Sequence, residues 1–302
     1  MNDMHKFLVL VNHDYKESVK SKSFWIITFI FPLLFIVFGA FIGYLSEDSS
    51  ATQTVANPVA PDPDTMTDEK IAGMLFGSIL TLFLMIYGAQ IFTKVKNEKT
   101  SRIMEIMATA VPGRTMMLSK IVSVGLIGVT QILIWCLTVI LAAIGIVSVF
   151  GMNIPDGILY SPYFWESLGW GILFFTGGYL FYGSLFAGIG ALTDKNNENQ
   201  EYMTLVTFLL LGAFYISQFA VDHPDSQLST WCTYIPFTSA SVSVVRTVSG
   251  EMPLWESLLS LLILYAFCFL TVSFAGKLYT AGILLRGKKL SPGDMISFMR
   301  MK

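Results

Sequence analysis

Charge is what this chain has least of. Only 13% of its 302 residues are Asp, Glu, Lys or Arg, about half the share of an ordinary soluble domain. That scarcity excludes a soluble globular protein, and with it the usual conversion of length into a domain count. Cysteine is also scarce, and three residues make no disulfide framework. Cys136 and Cys268 fall inside apolar runs, where a small buried hydrophobe is expected. Cys232 lies in a different kind of segment and could pair only with another chain. With His5, His13 and His223 as the whole histidine complement, neither an HExxH site nor a Ser-His-Asp set can be assembled, which argues against an intramembrane enzyme. Acidic and basic residues nearly cancel, at a net charge of −2, so net charge points to no partner. The first apolar run has no small-residue cleavage site after it and follows more than twenty residues of mixed charge. It reads as a retained span, not a signal peptide.

What is abundant is long apolar sequence. A helix needs about 20 apolar residues to cross the hydrocarbon layer, and six stretches qualify: 24–45, 71–93, 121–150, 168–192, 203–221 and 257–279. Backbone polar groups must be satisfied internally in lipid, so these are helices; the alternation of a barrel strand is absent. The expected fold is a single all-α integral membrane domain over residues 1–302 with six transmembrane helices. Seventeen of the 19 basic residues fall on one side of that arrangement, and only Lys70 and Arg246 on the other. By the positive-inside rule both termini are cytoplasmic. The span interiors carry no Asp, Glu, Lys, Arg or His, which counts against a proton-coupled transporter. Gln131, Tyr182, Tyr215 and Gln218 are the polar uncharged candidates for lining a pathway; helix–helix hydrogen bonding is the favoured reading of all four. Small residues such as Gly73, Gly77, Gly177, Gly178, Gly188 and Gly190 predict close helix approach.

The remaining segments have characters of their own. In residues 1–23, Met4, Phe7, Leu8, Val11, Tyr15 and Val19 recur at helical spacing opposite Lys6, Lys16, Glu17 and Lys20, which predicts an amphipathic helix in the membrane interface. Residues 46–70 are rich in Pro, Asp, Ser and Thr and read as an external loop. Residues 222–256 are apolar but broken at Pro236, which predicts an external re-entrant or surface helical pair buried against protein. The tail, 280–302, has a capped helix start at Ser291 and Pro292. Gly282 to Lys288 has the spacing of a phosphate loop, but Lys289 stands where Ser or Thr must hold magnesium, so no nucleotide site is expected here.

The segment with the most pattern is residues 96–121, KNEKTSRIMEIMATAVPGRTMMLSKI. Ile103, Ile106, Met107 and Ala110 recur at i, i+3, i+4 and i+7, with Lys99, Arg102 and Glu105 opposite. Glu98 lies four residues before Arg102, the favourable order for a helical ion pair. Val111-Pro112-Gly113 ends that helix, and a second begins near Thr115 and runs into the third span. Such a surface helix could lie on lipid headgroups, or its Met- and Ile-rich face could enter a groove on a cytoplasmic partner.

This segment resembles one in ABC-2 type ABC transporter permeases, where an acidic-basic stretch leads to L/I-M-E, a V-P break and G/S-K. LFAGIGALTDKNNENQ at 185–200, IPFTSASVSVVR at 235–246 and GKLYTAGILLRGKKLSPGDMISFMR at 276–300 are similar to that family as well, the last to its sodium-efflux (NatB-like) branch. The resemblance implies a six-span permease with an N-terminal elbow helix. Its first cytoplasmic loop, 94–120, would be a coupling helix that docks on a separate ABC ATPase. On this reading Glu98, Arg102, Ile103, Glu105, Ile106 and Arg114 carry the coupling, and Asp194 and Asn197 in the loop 194–201 form a second contact. It further implies two ATPase copies holding ATP and Mg, a second permease copy as homo- or heterodimer, and a place in the bacterial inner membrane, with no cofactor in this chain and no nucleic acid. Relatives in the sodium-efflux branch carry a large external domain where this chain has only 46–70, so that substrate does not transfer. A passive channel or membrane scaffold is the rival reading, since nothing in the chain supplies energy.

Overall fold

The structure is a computed structural model that describes residues 3–22, 24–26, 28–30, 32–33, 68–100, 111–150, 162–193 and 201–284. Among these residues there are eight helices and no strand: α1 (Asp3–Lys20), α2 (Asp68–Thr100), α3 (Gly113–Phe150), α4 (Pro162–Leu192), α5 (Glu201–Asp222), α6 (Gln227–Tyr234), α7 (Pro236–Val248) and α8 (Leu254–Leu284). Five of them, α2 to α5 and α8, are long and apolar enough to cross a membrane. Most of the first expected span, and all of the loop 46–67, lie outside the described residues, as do the loop residues 101–110, the turn 194–200 and the tail from 285.

The spans overrun their apolar sequences. α2 continues seven residues past Thr93, and α3 starts at Gly113 and runs unbroken into its span. Proline begins α4 and α7, where its missing N–H costs nothing and its fixed φ suits the first turn. α4 is the axis of the bundle and touches α2, α3, α5, α7 and α8. Its glycines allow this. A Cβ on Gly190 would stand 2.8 Å from the Phe92 carbonyl oxygen of α2, so the two helices cross backbone to backbone there.

The broken segment after α5 forms two helices. Ser226 caps α6 by accepting from the Ser229 N–H at 3.2 Å. Extended Ile235 then separates α6 from α7. α7 is buried from Thr238 to Arg246 between α2, α4, α5 and α8. Only small side chains fit so many neighbours, and every hydroxyl must find a partner. Ser239 and Ser243 bond the Ser260 hydroxyl at 3.0 and 3.2 Å, and Ser241 bonds Thr81 at 3.1 Å. α7 ends in a turn where Gly250 has φ 71°, the left-handed region.

Arg246 fixes this assembly. It is 2% exposed and donates to the Pro224 carbonyl at 2.8 Å, to Thr233 at 3.1 Å and to Glu256 at 2.9 Å. Cys232 is buried, which does not fit pairing with another chain, while Cys136, expected to be buried, is exposed.

Candidate functional site: a buried ion network at the basic end of the bundle

α1, α2 and α3 meet at the end of the bundle that carries the basic residues. α1 lies along α3. Its inner face is the apolar stripe of its sequence from Val11 onward: Val11 is buried and Tyr15 and Val19 pack on the core, while Met4 and Leu8 near its start are exposed. Asp14 lies on that same face, and its carboxylate is buried because it has a partner inside. Lys120, two turns into α3 and 2% exposed, places Nζ 2.6 Å from Asp14 Oδ2 and also on Glu98 Oε1 of α2. One buried ammonium therefore holds two carboxylates from two other helices. Lys94, one turn before Glu98, donates to Ser18 Oγ at 2.5 Å and to the Asp14 carbonyl at 3.4 Å. Tyr15 and Thr130 share a hydrogen bond of 2.8 Å further along the α1–α3 seam.

The network has physical consequences. Burying an ion costs several kcal/mol, recovered only when its partners stay in place. Pulling α1, α2 or α3 away from the others would strand a charge. The three helices are thus locked in register where α2 ends and α3 begins, on either side of residues 101–110. α8 joins the same end: the Arg114 side chain lies over Gly276, and Gly113 packs on Thr280. Beside the network is a chamber of about 600 Å³ lined by Asp14, Glu17, Ser18, Lys94, Glu98 and Gln131, among others. His13, Asp14 and Glu17 bring possible ligand atoms within 4.8 Å of one another. Asp14, however, is committed to Lys120, and we do not read a metal site there.

The residues singled out from sequence are dispersed. Glu98 belongs to the network, with Lys120 as a partner; its expected pairing with Arg102 falls on a residue outside those described. Arg114 is exposed at the first turn of α3. Arg102, Ile103, Glu105, Ile106, Asp194 and Asn197 lie outside the described residues. Gln131 donates to Thr28 Oγ1 at 2.9 Å and accepts from the Tyr87 hydroxyl. Tyr182 donates to the Phe237 carbonyl at 2.6 Å, and Gln218 to Ser78 at 3.2 Å. These three share no partner, and Tyr215 is 70% exposed on α5. Asp14 and Lys120 were not singled out. A carboxylate inside the α1 apolar stripe, next to Tyr15, was the available sign; Lys120 looked like one more orientation charge.

Residues 49–277 match the profile of the ABC-2 family transporter proteins. The chain belongs to the ABC-2 family. Glu98 and Lys120 fall within the matched region and Asp14 before it. Two curated proteins are similar to this chain. The uncharacterised protein YhaP of Bacillus subtilis is 25% identical over 220 residues, 71% of this chain and 51% of its own length. The uncharacterised protein MJ1024 of Methanocaldococcus jannaschii is 24% identical over 228 residues, 75% of this chain and 53% of its own. The chain spans about half the length of the curated relatives it matches. No solved structure matches. As an ABC-2 family protein with five helices long and apolar enough to cross a membrane among its described residues, it is a multi-pass membrane protein.

Proposed function

We propose that this chain is the permease subunit of an ATP-driven exporter, with ATP and Mg held by a separate ATPase subunit that docks on residues 101–110. The α1 end faces the cytoplasm of a bacterial inner membrane, as its basic residues favour. The single observation that carries the reading is Lys120 bridging Asp14 and Glu98. A transmission loop works only if its two ends move as one body, and this buried ion network joins the helices at both ends of the loop to each other and to α1. A push on residues 101–110 therefore moves α1, α2 and α3 together, and through Arg114 and Gly113 it reaches α8. Separation of α2 from α3 alone is disfavoured, because it would leave carboxylate and ammonium uncompensated in a low-dielectric region. Two such permeases, identical or not, with two ATPases complete the transporter. The passive alternative leaves the register lock without a use.

The experiment is gentle extraction of the tagged chain from cells that express its natural neighbours, followed by identification of what co-purifies. An ATPase that accompanies the wild type and is lost with Glu105→Arg supports the reading. No ATPase on the wild type, together with solute flux through the purified chain without ATP, would move the passive reading ahead.

A further inference from the structure

The half of the bundle away from the ion network holds a second chamber, of about 660 Å³, a size typical of small-molecule sites. It lies between Pro32, α2, α3 and α4, with Val244 of α7 behind. One turn closer to the network, Gln131 donates to Thr28 Oγ1 at 2.9 Å and accepts from the Tyr87 hydroxyl. These three side chains are at most 2% exposed, so the chamber is closed at that end and shares nothing with the polar one. Its inner wall is aromatic: Phe83 meets Trp135 and Phe175 edge-on, with ring centroids 5.6 and 5.7 Å away. Its rim is open. Ile79 of α2 and Ile172 of α4 are 36% and 57% exposed. Gly171 widens the α4 side, since a Cβ there would meet nothing within 4 Å.

Nothing in this chamber calls for water or charge. Its lining side chains are hydrocarbon apart from the Cys136 thiol and the Trp135 indole, and Trp135 Nε1 already donates to the Thr28 carbonyl at 2.9 Å. An apolar cavity stays dry, but an empty one forfeits the dispersion contacts of its walls. The lining residues of α2, α3 and α4 all fall within stretches long and apolar enough to cross a membrane. What adjoins the rim at that depth is therefore hydrocarbon. We propose that the chamber holds one acyl chain of a membrane phospholipid, inserted sideways from the bilayer past Ile79 and Ile172. The tail gains no hydrophobic energy by leaving its lipid neighbours. The gain lies in filling the void against a fixed aromatic wall, and an unbranched, flexible chain makes no hydrogen bond that the walls would have to answer. The headgroup stays outside the rim, so the site selects for a tail and not for a charge. It needs no ATPase and stands apart from the permease reading.

The test uses the purified chain in phosphatidylcholine nanodiscs containing phosphatidylcholine with a carbene-generating diazirine in one acyl chain. After illumination, the labelled residues are located by mass spectrometry of the digest. Leu258 and Leu262 of α8, at 59% and 67% exposure, report ordinary lipid contact. The expected result is labelling of Trp135, Cys136 and Phe175 about fivefold above those two, although Trp135 and Phe175 are less exposed. Gly171→Trp puts an indole into the chamber and should remove the excess. Gly169→Trp is the control: a Cβ there also meets nothing within 4 Å, but Gly169 does not line the chamber, and the excess should persist. The wild type alone decides the matter if a variant fails to fold. Labelling that simply follows exposure means annular lipid only. No labelling of the chamber means that something else, such as a second copy, covers its rim. Either outcome overturns the proposal, as does an excess that survives Gly171→Trp in a folded protein.

Discussion

Lys120 is the residue on which the basic end of the molecule turns. Its ammonium is 2% exposed and holds carboxylates from α1 and α2. Removing one partner of a buried ion pair leaves a charge with neither water nor counterion and costs about 3–5 kcal/mol. Lys120→Met should therefore lower the thermal midpoint of the purified protein sharply, read by intrinsic fluorescence in detergent. Adding Asp14→Asn and Glu98→Gln removes the stranded charges and should recover more than half of the loss. A triple variant no more stable than Lys120→Met would show that packing, not charge, sets the effect. None of this pairing was legible in the sequence. The amphipathic stripe of α1 specified the helix and its inner face, but not that a carboxylate inside the stripe would find a buried partner. Lysine density specified an end of the molecule, not which lysine would be buried. Partner choice is a tertiary fact, and residues 14, 98 and 120 meet only once three helices have packed.

At the scale of elements, the most unusual piece is α7, a thirteen-residue helix with four helices around its buried stretch. Its sequence announced itself through Pro236 and a run of small hydroxyl residues. The break at Ile235 and the burial against protein could both be anticipated from these. What could not be seen was that Arg246, apparently an external surface charge, is the pin of the region. Arg246→Met removes three hydrogen bonds and leaves Glu256 without its cation. It should cost roughly 2–4 kcal/mol and speed proteolysis near the α5–α6 turn, whereas Lys70→Met, which breaks an exposed pair of 3.6 Å with Asp222, should cost less than about 1 kcal/mol. A second element-scale prediction concerns the α2–α4 crossing. Gly190→Val places a branched side chain where even a single Cβ lies 2.8 Å from a carbonyl oxygen. It should destabilise by about 1–3 kcal/mol, while Gly212→Ala, whose Cβ meets nothing within 4 Å, should leave the melting curve unchanged. Helix lengths were less legible than helix existence. Hydropathy ends α2 at Thr93, but Lys94 and Glu98, one turn apart and both bonded within the network, keep it helical to Thr100.

At the scale of the whole molecule, the two ends of the bundle differ in kind, and that difference makes the orientation testable. One end has α1, the ion network and the ends of α2 and α3; the other has the α5–α6 turn, α7 and the Arg246 cluster. The positive-inside argument puts the first in the cytoplasm. Exposed positions exist at both ends, Glu17 on α1 and Asp225 in the α5–α6 turn. The native thiols interfere little, because Cys232 and Cys268 are buried and Cys136→Ser removes the exposed one. In that background, a membrane-impermeant maleimide applied to intact cells should label Asp225→Cys and spare Glu17→Cys, and the second should react once the membrane is opened. The reverse pattern would turn the molecule over. Residues 101–110 would then face away from the cell's ATP, no cytoplasmic ATPase could dock there, and the ion network would remain a register lock for a loop with nothing to transmit. The spans themselves follow from apolar length alone, but which end works, and on what, depends on a few charged residues whose sequence neighbours say nothing about their partners.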